Sequence, residues 1–273
     1  SLQVGFLRGV ATRQSEQGKG YSSRVMEYVL HDLKSQGVPA AALKTYIHPF
    51  YHKFGFETCS YRCLREVKEH ASVTGIELYR QVKQVPNEVL EAICACYQKY
   101  TADKDFFLER NVAYYRLMLM EALELYDGIL AIHRNASLQV DGYLVGFLEE
   151  NGQLRAEELV CTETLHPQDF GELIEKFGCR TLVYKAFDSK EQADGMIRIL
   201  NMAYFFQRRT DTVLSEKTQI YVRDPLFAEN SGFWQTDLNR LPLWGNLKEL
   251  TPGEAAVLLM ESSGRMAGIF EEY

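Results

Sequence analysis

The stretch GVATRQSEQGKGYSSRVMEYVL, residues 9–30, sets three glycines, Gly9, Gly18 and Gly20, ahead of apolar residues at helical spacing. A glycine-rich turn opening a helix gathers backbone N–H groups at the positive end of the helix dipole, where they bind an anion without a charged side chain. The chemistry suggested is phosphate binding, and two kinds of phosphate loop are excluded. A nucleoside-triphosphate loop would need a hydroxyl for magnesium after Gly-Lys, yet Gly18-Lys19-Gly20-Tyr21 puts tyrosine there. The dinucleotide fingerprint fails because Ser23 stands at its third glycine and no acidic residue closes the next strand. A second cluster, PFYHKFGFE at residues 49–57, carries Tyr51 between His48 and His52. Without alternating cysteine or carboxylate partners, the two histidines read as loop and helix-surface residues rather than metal ligands.

These groups need a scaffold, and the flanking residues supply one. LQVGFLRGVAT, residues 2–12, reads as a strand that breaks at RQSEQGKG. Tyr21, Val25, Val29 and Leu33 then recur every four residues, with Met26 and Leu30 beside them, so a helix follows. Gly37 is placed to end it, and VPAAALKTYI supplies a second strand. Strand, loop, helix and strand in that order make a crossover whose two strands run parallel. This first unit spans residues 1–64. A second, residues 65–188, opens with helical periodicity (NEVLEAICACYQKY, VAYYRLMLMEALELY) and turns to strands at DGILAIHR, QVDGYLVGFLEENGQLRAEELVC and CRTLVYKAF, with Asn151-Gly152 as a hairpin signal. A third, residues 189–273, holds the strand TQIYVRDP, a turn at ENSG, a strand around Phe233 and Trp234, and a helix TPGEAAVLLMES with Thr251 as N-cap and Pro252 at its first position.

Composition narrows the classes. The 273 residues suffice for more than one domain, and a 46% hydrophobic, 12% aromatic composition is that of a folded globular chain. No segment approaches the ~20 apolar residues that cross a bilayer, so no membrane is expected. Thirty basic against 37 acidic residues leave a net charge of −7, with Lys and Arg scattered, which argues against a nucleic-acid partner. Cys59, Cys63, Cys94, Cys96, Cys161 and Cys179 lack the paired spacing of a zinc site. No metal is expected, and the thiols read as reduced, in a cytoplasmic protein.

GVATRQSEQGKGYSSRVM resembles the pyrophosphate-binding motif of the GCN5-related N-acetyltransferases (GNAT), and PFYHKFGFE resembles their closing tyrosine segment; Ser15 departs from a position where the family often has Gln or Arg. DGYLVGFLEENGQLRAEELV is similar to a second acetyltransferase sheet, one followed by CTETLHPQDF without a phosphate loop. MIRILNMAYF, IYVRDPLFAENSGFW and LTPGEAAVLLM look like the C-terminal sterol-carrier-like domain of the enhanced-intracellular-survival (Eis-like) acetyltransferases. The implied fold class is α+β: tandem GNAT domains, the first incomplete at its N-terminus, plus a sterol-carrier-protein-like α/β domain. The family's first domain begins with further strands and helices, so a preceding segment is expected.

The resemblance also implies the site. Backbone N–H groups of Gln17, Gly18, Lys19, Gly20, Tyr21 and Ser22 would hold the pyrophosphate of acetyl-CoA, the co-substrate, while Val10, Ala11 and Thr12 would pair with its pantetheine arm and aim an N–H at the thioester oxygen. Tyr51 occupies the family's acid position; a phenol near 10 can protonate a departing thiolate whose conjugate acid lies near ~8.5. An amine is mostly protonated at neutral pH, and keeping about one part in a thousand free costs roughly 4 kcal/mol, so a base is wanted. The C-terminal carboxylate of Tyr273 takes that place by resemblance, with Glu271 and Glu272 as acidic rim charge. The implied activity is acetyl transfer to a primary amine (a polyamine, an aminoglycoside-like polycation or a lysine of a peptide) in a direct ternary complex, by a homo-oligomer, trimer or hexamer. The competing reading is a non-catalytic acyl-CoA or lipid-binding protein that uses the sterol-carrier-like domain.

Overall fold

The parallel crossover expected at the start of the chain forms. Strand β1 (Val4–Leu7), helix α1 (Tyr21–Ser35) and strand β2 (Ala40–Lys44) pair in parallel from Val4 opposite Ala40 to Leu7 opposite Leu43. The structure, a computed structural model, describes residues 3–68, 75–104, 107–162, 165–187, 190–208, 218–236 and 249–261. A one-turn helix α2 (His48–His52) and a long strand β3 (Glu57–Val67) follow. Then come β4 (Ile76–Tyr79), α3 (Asn87–Thr101), α4 (Val112–Leu119) with a π-helical continuation over Met120–Leu125, β5 (Ile129–Arg134), β6 (Val140–Leu148), β7 (Gln153–Cys161), α5 (Glu172–Phe177) and β8 (Thr181–Ala186). The chain closes with β9 (Gln192–Ile199), α6 (Met202–Arg208), β10 (Thr218–Val222), β11 (Gly232–Thr236), β12 (Glu249–Leu250) and α7 (Pro252–Glu261).

Two compact units result. The first joins the described residues up to Tyr61 with those from Gln192 onward; the second is formed by residues from Arg62 to Glu191. In the first unit, β9 enters the sheet between β2 and β3 and runs antiparallel to β2, with Ala41 opposite Arg198 and Leu43 opposite Met196. The segment read as a third region therefore packs with the glycine-loop segment rather than as a compact unit of its own. A small sheet of β11, β10 and β12 and the helix α7 belong to the same unit. The N-terminus of α7 is built as its sequence suggests. Thr251 Oγ1 accepts from the Glu254 N–H at 3.1 Å, and Glu254 Oε2 accepts from the Thr251 N–H at 2.7 Å, a reciprocal capping box.

Helix α1 also ends as predicted. Gly37 has φ +78°, and its N–H bonds to Lys34 O while that of Val38 bonds to Leu33 O, both at 3.0 Å, the paired bonds of a left-handed C-terminal cap. The buried stripe of α1 differs from the expected one. Met26 and Leu30 are enclosed against Ala41, Leu43, Phe54, Phe56, Met196, Leu200 and Phe227, whereas Tyr21 and Val25 stay 48 and 55% exposed. Both rows repeat every four residues, and the position of the sheet selects between them. Gly5 lets α1 approach β1 closely, since a Cβ there would lie 2.7 Å from Leu33 Cδ1.

The second unit has a core on each face of its sheet, which runs from the second half of β3 through β8, β7, β6 and β5 to β4. Side chains of β5 alternate: Leu130 and Ile132 join Tyr97, Tyr115 and Leu119 of α3 and α4, while Ile129 and Ala131 join Phe170 and Leu173 on the other face. The β6–β7 hairpin turns at the predicted Asn151-Gly152. Gly152 has φ +79°, and Asn151 Oδ1 accepts from the Gln153 N–H at 2.9 Å. Strands β7 and β8 are parallel and bracket α5, repeating in short form the crossover of the first unit. The result is a mixed α/β architecture with parallel and antiparallel pairs.

Candidate functional site

The glycine loop occupies the gap between β1 and α1. The strand stops earlier than its sequence suggests, at Leu7, because Gly9 adopts φ +71° and turns the chain where the ladder with β2 runs out. Val10, Ala11 and Thr12 are thus off the strand, Val10 and Ala11 exposed, and their N–H groups meet no acceptor among the described residues. A 3-10 turn over Gln14–Glu16 follows, and Lys19 Nζ returns to Glu16 Oε2 at 2.9 Å.

Two left-handed glycines then start the helix. Gly18 has φ +77° and Gly20 φ +79°, and a residue with a Cβ adopts either conformation only under strain. Gly20 is the N-cap, no side chain caps the helix, and the first helical bond is that from the Arg24 N–H to Gly20 O at 3.2 Å. Among the described residues, the N–H groups of Gly18, Lys19, Gly20, Tyr21, Ser22 and Ser23 meet no protein acceptor. Six unpaired donors at the positive end of a 15-residue helix fit an extended anion such as a pyrophosphate. Gln17, with its N–H bonded to Gln14 O at 3.3 Å, flanks this row rather than joining it.

The segment before α5 in the second unit is built differently. The turn before α5 is another 3-10 segment, Pro167–Gly171, whose Phe170 is fully buried, and Gly171 has ordinary helical angles.

Tyr51 lies on α2 and is 8% exposed, packed edge-on against Phe50 and Phe56 at 4.9 and 6.2 Å between ring centres. Burial pushes its phenol above the ordinary value of 10. No hydrogen bond to its hydroxyl is present among the described residues. Phe54 and Phe56 are core, as their types suggest. His48 Nδ1 lies 3.1 Å from Thr58 Oγ1, and His52 Nδ1 lies 3.0 Å from Phe56 O, so both serve local structure. Among the described residues no group of three His, Cys, Asp or Glu could hold a metal ion. Tyr273, Glu271 and Glu272 lie outside the described residues.

Two features of the site escaped the sequence reading. Arg198 and Asp224 form a fully enclosed pair in which Nη2 donates to both carboxylate oxygens at 2.7 Å, and Arg198 Nη1 donates to Phe54 O, so β9 grips the segment that carries Tyr51. The available signal was an arginine inside the apolar run GMIRIL. Lys53, in the tyrosine segment itself, reaches Ser23 Oγ in the first turn of α1 at 2.7 Å.

Known proteins can be set against this geometry. The acetyltransferase (GNAT) domain family matches residues 1–59, which contain the glycine loop, α1, β2 and Tyr51. A solved GCN5-related N-acetyltransferase from Anabaena variabilis is 17% identical, with a TM-score of 0.69 over 86% of this chain and 65% of its own. A conserved Enterococcus faecalis protein is likewise 17% identical, with a TM-score of 0.68 over 85 and 64%. The fold is GNAT-like. Eis1 from Mycobacterium abscessus shares it as well, at 14% identity and a TM-score of 0.62 over 87% of this chain and 67% of its own. The chain spans slightly less than two thirds of the Anabaena and Enterococcus proteins. No curated protein matches it in sequence.

Proposed function

We propose that this protein is an acetyl-CoA-dependent N-acetyltransferase of the Eis-like kind, acting on a primary amine of a polyamine, an aminoglycoside-like polycation or a peptide lysine. The observation carrying this reading is the row of unpaired N–H groups from Gly18 to Ser23, set at a parallel crossover inside the segment that matches the acetyltransferase family. Gly18 to Ser22 hold the pyrophosphate, with Gln17 at the edge of the row, and the free backbone of Val10, Ala11 and Thr12 takes the pantetheine arm as an added strand and donates to the thioester oxygen.

The amine nitrogen attacks the thioester carbon, an N–C bond forms and the C–S bond breaks. Tyr51 gives its phenolic proton to the leaving thiolate, and the surplus proton on the amine passes to the carboxylate of Tyr273, entering from the C-terminal sterol-carrier-like region. No enzyme-bound acyl group intervenes. The reading includes a cytoplasmic homo-oligomer, trimer or hexamer.

Calorimetric titration with acetyl-CoA, followed by a free-thiol assay over polyamines, aminoglycosides and lysine peptides, tests it. Binding with amine-dependent thiol release is the expected result. Binding without release on any amine points instead to a non-catalytic acyl-CoA or lipid carrier, and no binding overturns the assignment of the loop.

Two variants probe the parts. Gly20→Ala and Gly37→Ala both force a Cβ into a left-handed conformation and should each cost about 1–2 kcal/mol of stability. Only Gly20→Ala should also weaken acetyl-CoA binding, since Gly37 caps the far end of α1; equal affinities in the two variants would count against the loop as the binding element. Extending the chain beyond Tyr273 by two glycines should lower kcat/KM about ten-fold at neutral pH, with recovery as the pH approaches the amine's own pKa. A pH-independent loss would argue for obstruction rather than removal of a base.

A further inference from the structure

Lys53 sits in an electrostatic position that its own surroundings do not explain. Its backbone ends α2, but its ammonium crosses to α1 and donates to Ser23 Oγ, in the third helical position of α1 and the same turn as the unpaired N–H groups. A positive charge at a helix N-terminus opposes the helix dipole. No carboxylate pairs with Lys53 among the described residues; Glu16 pairs with Lys19, and Glu57 lies 3.5 Å from His52. The ammonium is nevertheless held in place, 4.1 Å from the centre of the Phe50 ring and 4.9 Å from that of Phe54, so the aromatic faces and the serine fix a cation where the helix alone would repel it.

We infer that Lys53 is a donor-recognition residue, its ammonium pairing with a phosphate of the coenzyme A moiety bound at the first turn of α1. This rests on the reading of the loop as a coenzyme A site and adds to it a charged side chain from the tyrosine segment. The dipole and the ammonium then act on the same anion, and the like-charge arrangement becomes favourable once a phosphate lies against both. Because Phe50 packs edge-on against both Tyr51 and Phe54, the same contact ties donor binding to the segment that carries the phenol.

The test measures dissociation constants for coenzyme A and 3′-dephospho-coenzyme A by calorimetry at several salt concentrations, in the wild-type chain, Lys53→Gln and Lys53→Arg. Lys53→Gln should bind coenzyme A about ten-fold more weakly at low salt, with a shallower salt dependence, and Lys53→Arg should recover most of the affinity. If the partner is the 3′-phosphate, the two proteins bind the dephospho compound alike; if it is the pyrophosphate, the ten-fold gap persists with that compound. Unchanged affinity and salt slope in Lys53→Gln would overturn the inference while leaving the loop assignment intact. A loss that Lys53→Arg shares in full, with an unchanged salt slope, would overturn it in favour of packing. Failure of the wild-type chain to bind coenzyme A would overturn the loop assignment itself, and the inference with it.

Discussion

Tyr51→Phe is expected to lower the turnover number for acetyl transfer by about a hundred-fold while leaving acetyl-CoA affinity and thermal stability close to those of the wild-type chain. The ring is packed between Phe50 and Phe56 in the core of the first unit, and phenylalanine keeps those edge-on contacts. The hydroxyl makes no hydrogen bond to any described residue, so its removal leaves no described partner unsatisfied. The loss should therefore be chemical and confined to turnover. Burial raises the phenol above 10, so the acid stays protonated across the physiological range, and the alkaline limb of the wild-type rate should fall above pH 10. The same shift bears on stability. The fold favours the neutral phenol, so this contribution is intact below pH 10 and is lost as the pH rises through the raised value. Stopped-flow thiol release across pH checks both points, and a variant with full turnover would remove Tyr51 from the chemistry.

Asp224→Ala should destabilise the first unit by about 3–5 kcal/mol, enough to leave much of the protein unfolded at moderate temperature. Both side chains of the Arg198–Asp224 pair are completely enclosed. Asp224 also accepts from the Leu226 and Phe227 N–H groups at 3.0 and 3.1 Å and from Asn230 Nδ2 at 2.8 Å. Alanine would strand a guanidinium in the core together with these three donors. Burial pulls Arg198 below its ordinary value and Asp224 pushes it back, but a guanidinium does not shed its proton, so the charge stays and the cost is borne in folding. The effect should reach the site, since Arg198 Nη1 donates to Phe54 O and a Cβ on Gly253 would come within 2.4 Å of the Glu57 nitrogen, both contacts on the segment next to Tyr51. Urea denaturation gives the first number. Replacing both residues together, Arg198→Met with Asp224→Leu, should recover part of the loss, and a double variant no better than the single one would show that the other hydrogen bonds of Asp224 matter more than the charge.

Much of the local structure was legible because its causes lie within a few residues of their effects. Gly20 and Gly37 bound α1 through backbone angles that other residues reach only under strain, Asn151-Gly152 turns a hairpin, and Thr251 caps α7. The early end of β1 was harder to read, because Val10, Ala11 and Thr12 keep strand-like character beyond Leu7, the last residue paired with β2. Which row of α1 would be buried was undecidable from spacing, since the Tyr21–Val25 and Met26–Leu30 rows have the same period. Arg198, Asp224 and Lys53 gained their roles from neighbours far away in the chain. By itself the sequence determined the turns, caps and crossover that shape the glycine loop, because these obey short-range steric and hydrogen-bonding rules. The tertiary structure decided that β9, some 150 residues downstream of β2, would lie between β2 and β3 and hold the Tyr51 segment, because strand pairing depends on which edges and charges meet in space, and no local pattern encodes that meeting.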